Sequence, residues 1–483
     1  MAFLAVLLIF AAMLALALWN TRAALLTAAF FMPWNGLDID IGLRITVYQL
    51  AMAAILLVVA ARLTQPGLKP PSIAGGTIFA AFALYTTVWS LLQIGFLPPV
   101  EVITQGLRGP TVRAVIQIML FLFAISPVVI VPMVLRERDD LPKMGRLFIA
   151  GCVVLGIIGW LQLAGWYATG SNPLPIGAFG NALGGGYAEA RSGAFALEAL
   201  NIYRMNAFAG EPRDLGVAVI IAMMAVQSHA LVAPAPRSGR LLLLWGFLFF
   251  TLLATFSTSA IGLWVIGSAA LLPACWIFGI KVARSGRQLL GTATALVVPL
   301  LLLVAGLEAS GIPVLNILAE RTVERVSSEG ALEDFDLAII DYLKVAPESG
   351  VTGVGLGNIH LYATPYLDPL FALYAEGNVF VAKTQYLRFI SEIGIIGLAL
   401  FLGWYLWLTI RTARSTPPNS DVGAVIPAAA GILVITMGSF QAITMCYALA
   451  GGMVALCAGG VRRRGRAQQM AAQPAPRLAA PQA

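Results

Sequence analysis

The sequence predicts an all-α, polytopic bundle of about 12 to 13 membrane-spanning helices, with one long outward loop that carries short helices. Three observations predict it. Hydrophobic residues make up 59% of the 483 positions and charged residues only 11%, whereas soluble domains are about a quarter charged. The apolar residues fall in many runs near the ~20 needed to cross a bilayer, without the alternating ten-residue strands of a membrane barrel. The basic residues are sorted between alternate connections.

In chain order, spans are expected at 2–19, 21–34, 43–61, 73–95, 113–135, 146–168, 214–232, 240–256, 259–280, 288–307, 389–410, 422–440 and 442–461. The first run lacks a basic leader and an Ala-x-Ala cleavage site, so it reads as a membrane segment rather than a signal peptide. The second is short, and Pro33-Trp34 mark it as broken or re-entrant. Ser257, Thr258 and Ser259 leave only a minimal turn inside 240–280. Domain organisation follows: 1–307 is ten spans with an outward loop at 170–213, 308–388 a large outward loop, 389–461 the last spans, and 462–483 a basic, Pro/Ala/Gln-rich disordered tail. The four cysteines lie inside apolar runs and offer neither a disulfide framework nor metal-ligand spacing.

Placing the C-terminus in the cytoplasm puts 19 of the 30 basic residues and only four of the 23 acidic ones on the cytoplasmic side. The 308–388 loop then faces outward, into the periplasm of a bacterium with two membranes. The overall charge of +7 is therefore topology, not a nucleic-acid surface, since the arginines are scattered over short loops. The arginines of the tail suit anionic lipid headgroups.

The outward segments hold the candidate chemistry. Asn35–Gly42 is short and acidic, and Gly95–Thr111 contains Arg108 and leads to Arg113. In Arg204-Met-Asn-Ala-Phe-Ala-Gly-Glu211-Pro-Arg213-Asp214, four ionisable groups crowd the edge of a span, where charge is costly unless paired or wet. Glu211 before Pro212 is placed to cap the next helix. The segment is either a capped helix with interfacial charges or an arginine held near an anion, with Glu211 as its orienting group or base. Arg321 and Arg325 share one helix face, either as part of a solvated salt-bridged helix or as two forks matching phosphate oxygens. Residues 331–345 form an amphipathic helix expected on the membrane surface or over a cavity. Gly353-Val-Gly-Leu-Gly357 reads as a tight turn with close backbone approach. His360 follows it, a structural residue or a candidate base. Lys383, Tyr386 and Arg388 bracket the start of the next span, and Glu392 is spaced to pair with Arg388. Gly394 and Gly397 permit close packing.

Many spans, one long outward loop in the C-terminal third, a G-x-G-x-G turn, then Tyr386-Leu-x-x-x-x-Glu392-x-Gly394-x-x-Gly397 opening a helix: this pattern resembles the O-antigen ligase/Wzy polymerase superfamily. PWNGLDIDIGLRITVYQ resembles the first outward turn of that superfamily, and Arg204…Gly210-Glu211-Pro212 its arginine and Glu-Pro step. The resemblance implies a GT-C-like fold and an inverting, metal-independent glycosyltransfer from undecaprenyl pyrophosphate, with no cofactor. Ligases of the superfamily carry His-Asn just before the Tyr-Leu helix. This chain has Lys383-Thr384, so a polymerase of O-antigen, capsule or exopolysaccharide is the branch implied. The implied roles are Glu211, Arg204 and His360 in catalysis, and Arg213, Arg321, Arg325, Lys383, Tyr386, Arg388 and Glu392 on the pyrophosphate and glycan. The implied partners are the lipid-linked oligosaccharide, the growing polysaccharide, membrane lipid, and a chain-length regulator or flippase. A ligase acting on lipid A core and a transporter are the competing expectations. Against the transporter stands the lack of paired interrupted helices.

Overall fold

The computed structural model describes residues 2–40, 44–64, 73–96, 110–135, 137, 139–169, 203–232, 238–283, 286, 334–367, 382–418 and 420–472. It is a helical bundle, and its one sheet among these residues is a two-stranded hairpin. The expected span 288–307, Arg321 and Arg325 lie outside the described residues.

Two helices open the chain, α1 (Ala2–Trp19) and α2 (Thr21–Phe31). Asn20 caps α2 by accepting from the Ala23 amide. At 11 residues α2 crosses only about half of a ~30 Å core, matching the broken segment expected at Pro33-Trp34. The chain returns through a hairpin of β1 (Asp38–Asp40) and β2 (Arg44–Thr46), with Ile39 opposite Ile45. Ile39 packs on Val6 and Leu50. Thr46 and Gln49 then form a capping box that starts α3 (Val47–Leu63).

Next come α4 (Gly76–Gln93), α5 (Pro110–Ile125), α6 (Pro127–Val134) and α7 (Asp140–Thr169). The single span expected at 113–135 is divided at Ser126, because Pro127 has no amide to continue the ladder. Then follow α8 (Pro212–Val232), α9 (Ser238–Ala254) and α10 (Thr258–Ile277). Ser257 caps α10, so the minimal turn is real. Helix α8 is apolar on every face and 89% of its span is buried, which makes it the centre of the bundle.

Among the described residues, three short helices lie before the last spans: α11 (Asp334–Val345), α12 (Pro347–Thr352) and α13 (Ile359–Ala363). The last helices are α14 (Gln385–Ser415), α15 (Val425–Gly438) and α16 (Ile443–Ala472). The amphipathic helix expected to lie on the membrane or over a cavity instead buries its apolar face in protein. Ala338, Ile339 and Tyr342 of α11 pack with Val354, Ile359, Ala363 and Leu387 in a small core of their own. Helix α16 also runs on to Ala472, into the tail expected to be disordered. Alanine, glutamine and arginine are good helix formers, so the span has nothing to stop it.

Among the described residues, seven helical stretches are long and apolar enough to cross a membrane, and five apolar helices are shorter. The protein is a multi-pass membrane bundle. Helix ends sort as the charge pattern requires. At the basic end Arg22 pairs with Glu137 and with buried Asp140, joining the starts of α2 and α7. Trp19 and Trp276, 84% and 83% exposed, stand at that same end as interfacial anchors. At the opposite end the Met205 amide reaches the Ala254 carbonyl, and Gln441 donates to Asp214.

Candidate functional site

The end of the bundle opposite the basic one carries two linked polar clusters. The first is built on a break in α14. Gly394 has φ 71° and ψ 175°, so the helix stops and restarts there. The break releases the carbonyls of Ser391 and Glu392, and the glycine turn takes both: the Val354 amide donates to Ser391 at 2.9 Å and the Gly355 amide to Glu392 at 2.8 Å. The two backbones touch. A Cβ on Gly353 would lie 2.3 Å from the Glu392 carbonyl oxygen, and one on Gly394 2.2 Å from that of Val351. Helix α4 holds the turn from behind, with Tyr85 donating to the Thr352 carbonyl at 3.0 Å and Trp89 to that of Gly353 at 2.9 Å.

The turn delivers a buried ionic network. Glu392, 1% exposed, accepts from the Gly357 amide on Oε1 and from Arg388 Nε on Oε2, both at 3.1 Å. The Arg388–Glu392 pair is the one its spacing predicts. Arg113, at the start of α5, donates to His360 Nε2 at 3.2 Å. Guanidinium has no acceptor, so Nε2 is the bare nitrogen and Nδ1–H donates to the Gly357 carbonyl at 3.0 Å. Burial, and then the charge of Arg113, push the imidazole down to about 3, against the Gly357 carbonyl that raises it. His360 is therefore neutral at pH 7 with both nitrogens engaged. It is better placed to orient Arg113 than to take a proton.

The second cluster surrounds the start of α8. Tyr203–Gly210 is pinned in place: the Ala207 amide donates to buried Gln162 at 2.8 Å, Arg204 Nε to the Thr255 carbonyl at 3.3 Å, and the Gly36 amide to the Phe208 carbonyl at 2.9 Å. Trp34 stacks on Phe208, so the first outward turn of the chain buttresses the arginine loop. The Glu211 carbonyl accepts from the Asp214 and Leu215 amides, which makes Glu211 the residue that starts α8, as expected. The Lys383 backbone joins the clusters. Its carbonyl accepts from Arg213 and from the Phe440 amide, each at 3.3 Å, and its amide donates to buried Asp336 at 2.8 Å. Tyr386, 38% exposed, stands on the first turn of α14.

Of the residues singled out from sequence, the fold joins Arg213 to Lys383 through that carbonyl, and Arg388, Glu392 and His360 through Gly357. It places Arg204 and Glu211 at the same end of the bundle. Three participants were not singled out for the site. Arg113 carried a readable signal, an arginine in the first turn of an apolar span. Asp336 looked like the polar face of a surface helix, and Gln441 carried no signal. Among the described residues no three His, Cys, Asp or Glu side chains cluster as metal ligands.

The fold and these clusters define a class: a multi-pass helical membrane protein with a polar, arginine-rich site at one end of the bundle. Compared with known proteins, the chain matches no family model and no curated protein.

Proposed function

We propose that the chain is an inverting glycosyltransferase. It would extend undecaprenyl-pyrophosphate-linked oligosaccharides into O-antigen, capsule or exopolysaccharide, at the periplasmic face of a bacterial inner membrane. One observation carries the reading: the segment of Arg204, Glu211 and Arg213 and the segment of Lys383 and Arg388 meet at one end of the bundle, where Arg213 donates to the Lys383 carbonyl. Arginines at a bundle end suit a pyrophosphate whose hydrocarbon chain lies in the bilayer.

In the proposed step an acceptor hydroxyl attacks C1 of the donor sugar. A new C1–O bond forms, the bond from C1 to the phosphate oxygen breaks, and the polyprenyl pyrophosphate leaves. Glu211 takes the hydroxyl proton, and the arginines stabilise the charge growing on the leaving group. Arg321 and Arg325 are proposed as further phosphate ligands. His360 serves this scheme by fixing Arg113.

A transporter is the reading that a broken helix would otherwise favour. In α14, however, the freed carbonyls are already met by the Val354 and Gly355 amides, which leaves the break closed by the chain's own backbone.

The test is incubation of the purified protein with a polyprenyl-pyrophosphate-linked oligosaccharide, followed by resolution of the products by length. A ladder is expected. Glu211→Gln should slow it by about 10²–10⁴-fold, and Arg204→Ala by about 10²–10³-fold. Transfer to lipid A core without a ladder would make the protein a ligase, and no product on either acceptor would refute the enzyme. Full activity in both variants would reject the assigned roles.

A further inference from the structure

A cavity of about 660 Å³ enters the bundle at the basic end, away from the polar site, between α2, α7, α8, α9, α15 and α16. That volume lies within the range of about 300–1,000 Å³ typical of small-molecule pockets. Its walls are apolar, and among the described residues that line it the ionisable side chains are Arg146, His229 and Asp421. All three sit at the basic ends of their elements: Arg146 in the second turn of α7, His229 in the last turn of α8 and Asp421 just before α15. Arg146 and Asp421 are exposed, and His229 is half-buried. Lys143 lies one turn before Arg146, and exposed Arg240 adjoins the wall residue Leu241. The site is thus a greasy shaft with a charged rim at the basic end, where Arg146, His229 and Arg240 stand near Asp421, while Lys143 is paired with Glu137 and Asp140.

We propose that this cavity binds a phospholipid of the leaflet at the basic end. Its hydrocarbon chain would fill the shaft, its phosphate would face Arg146 and His229, and a hydroxyl-bearing headgroup would donate to Asp421. The chemistry at each level selects this ligand. Apolar walls accept hydrocarbon. An arginine fork matches phosphate oxygens, and an imidazole offers a ring N–H in either protonation state. A carboxylate can only accept, so it repels a bare phosphate but welcomes a headgroup hydroxyl. The site is distinct from the arginine cluster at the other end, and the proposal does not depend on what that cluster does.

The experiment is thermal unfolding of the full chain in detergent, with added phosphatidylglycerol, phosphatidylcholine or polyprenyl phosphate. A ligand that binds only the folded state raises the midpoint as its concentration rises. Phosphatidylglycerol is expected to act at the lowest concentration. Arg146→Glu, at an exposed position, should raise the concentration needed by about tenfold through loss of a charge-assisted contact. Ala225→Phe, which fills the shaft, should abolish the response. If Ala225→Phe does not fold, Arg146→Glu decides alone. An equal response to phosphatidylcholine, or an unchanged response to phosphatidylglycerol in Arg146→Glu, overturns the proposal. So does a preference for polyprenyl phosphate, which would make the cavity a sheath for the glycosyl donor's chain.

Discussion

His360 and Glu392 are both buried polar groups, and each meets an arginine. Glu392 accepts from Arg388 and from the Gly357 amide. His360 faces the guanidinium of Arg113, which favours neutral imidazole. Because the fold holds His360 near 3 against an ordinary 6.5, the unfolded chain binds its proton first on acidification. The contribution of His360 to stability should be complete above pH 6.5, and should be lost as pH falls from there toward 3. The unfolding midpoint of His360→Gln should lack this part of the pH dependence, and identical pH profiles for both proteins would contradict the assignment. At this scale the sequence reveals local pairs and hides distant ones. Arg388 and Glu392 are four residues apart and were readable as a pair. Arg113 and His360 are 247 residues apart, and no rule of spacing connects them.

The glycines of the 353–357 turn and of α14 were each legible alone, as a tight turn and as a site of close packing. That they meet each other was not, because the contact depends on which backbone carbonyls the break at Gly394 sets free. Gly394→Ala and Gly353→Ala should each cost about 1–3 kcal/mol through an unfavourable positive φ, with the steric clash added. Gly403→Ala, in the same helix with open space around its Cα, should be neutral or gain up to about 1 kcal/mol. Thermal unfolding of the three variants in one detergent checks the contrast, and equal midpoints would mean that the break is not held by this contact. The same dependence on partners explains α11. Its amphipathic pattern announced a buried face, but only the positions of α13 and α14 decided that protein, not lipid, covers it.

For the whole molecule, hydropathy was enough to predict the class of fold, and twelve of the thirteen expected spans coincide with described helices. The charge pattern also put Arg22 and Asp140 on one side of the bundle, where the two side chains pair. What it proposes beyond that is a direction. All four native cysteines are buried, so a single introduced cysteine can be read against a quiet background. In intact bacteria an impermeant maleimide should label Tyr386→Cys, and should label Arg146→Cys only after the membrane is opened. The reverse pattern would invert the topology and move the proposed chemistry to the cytoplasm.

The closed break in α14 also sets an order of assembly. The carbonyls of Ser391 and Glu392 have no partners within their own helix, and such groups are costly wherever water is excluded. Their partners, Val354 and Gly355, are made earlier on the ribosome. The segment that must plug the helix is therefore synthesised before the helix that needs it. Helix α14 can then enter the bundle as a finished joint, its outer turns fastened to the turn that α4 holds and its remaining turns free to pack in the membrane.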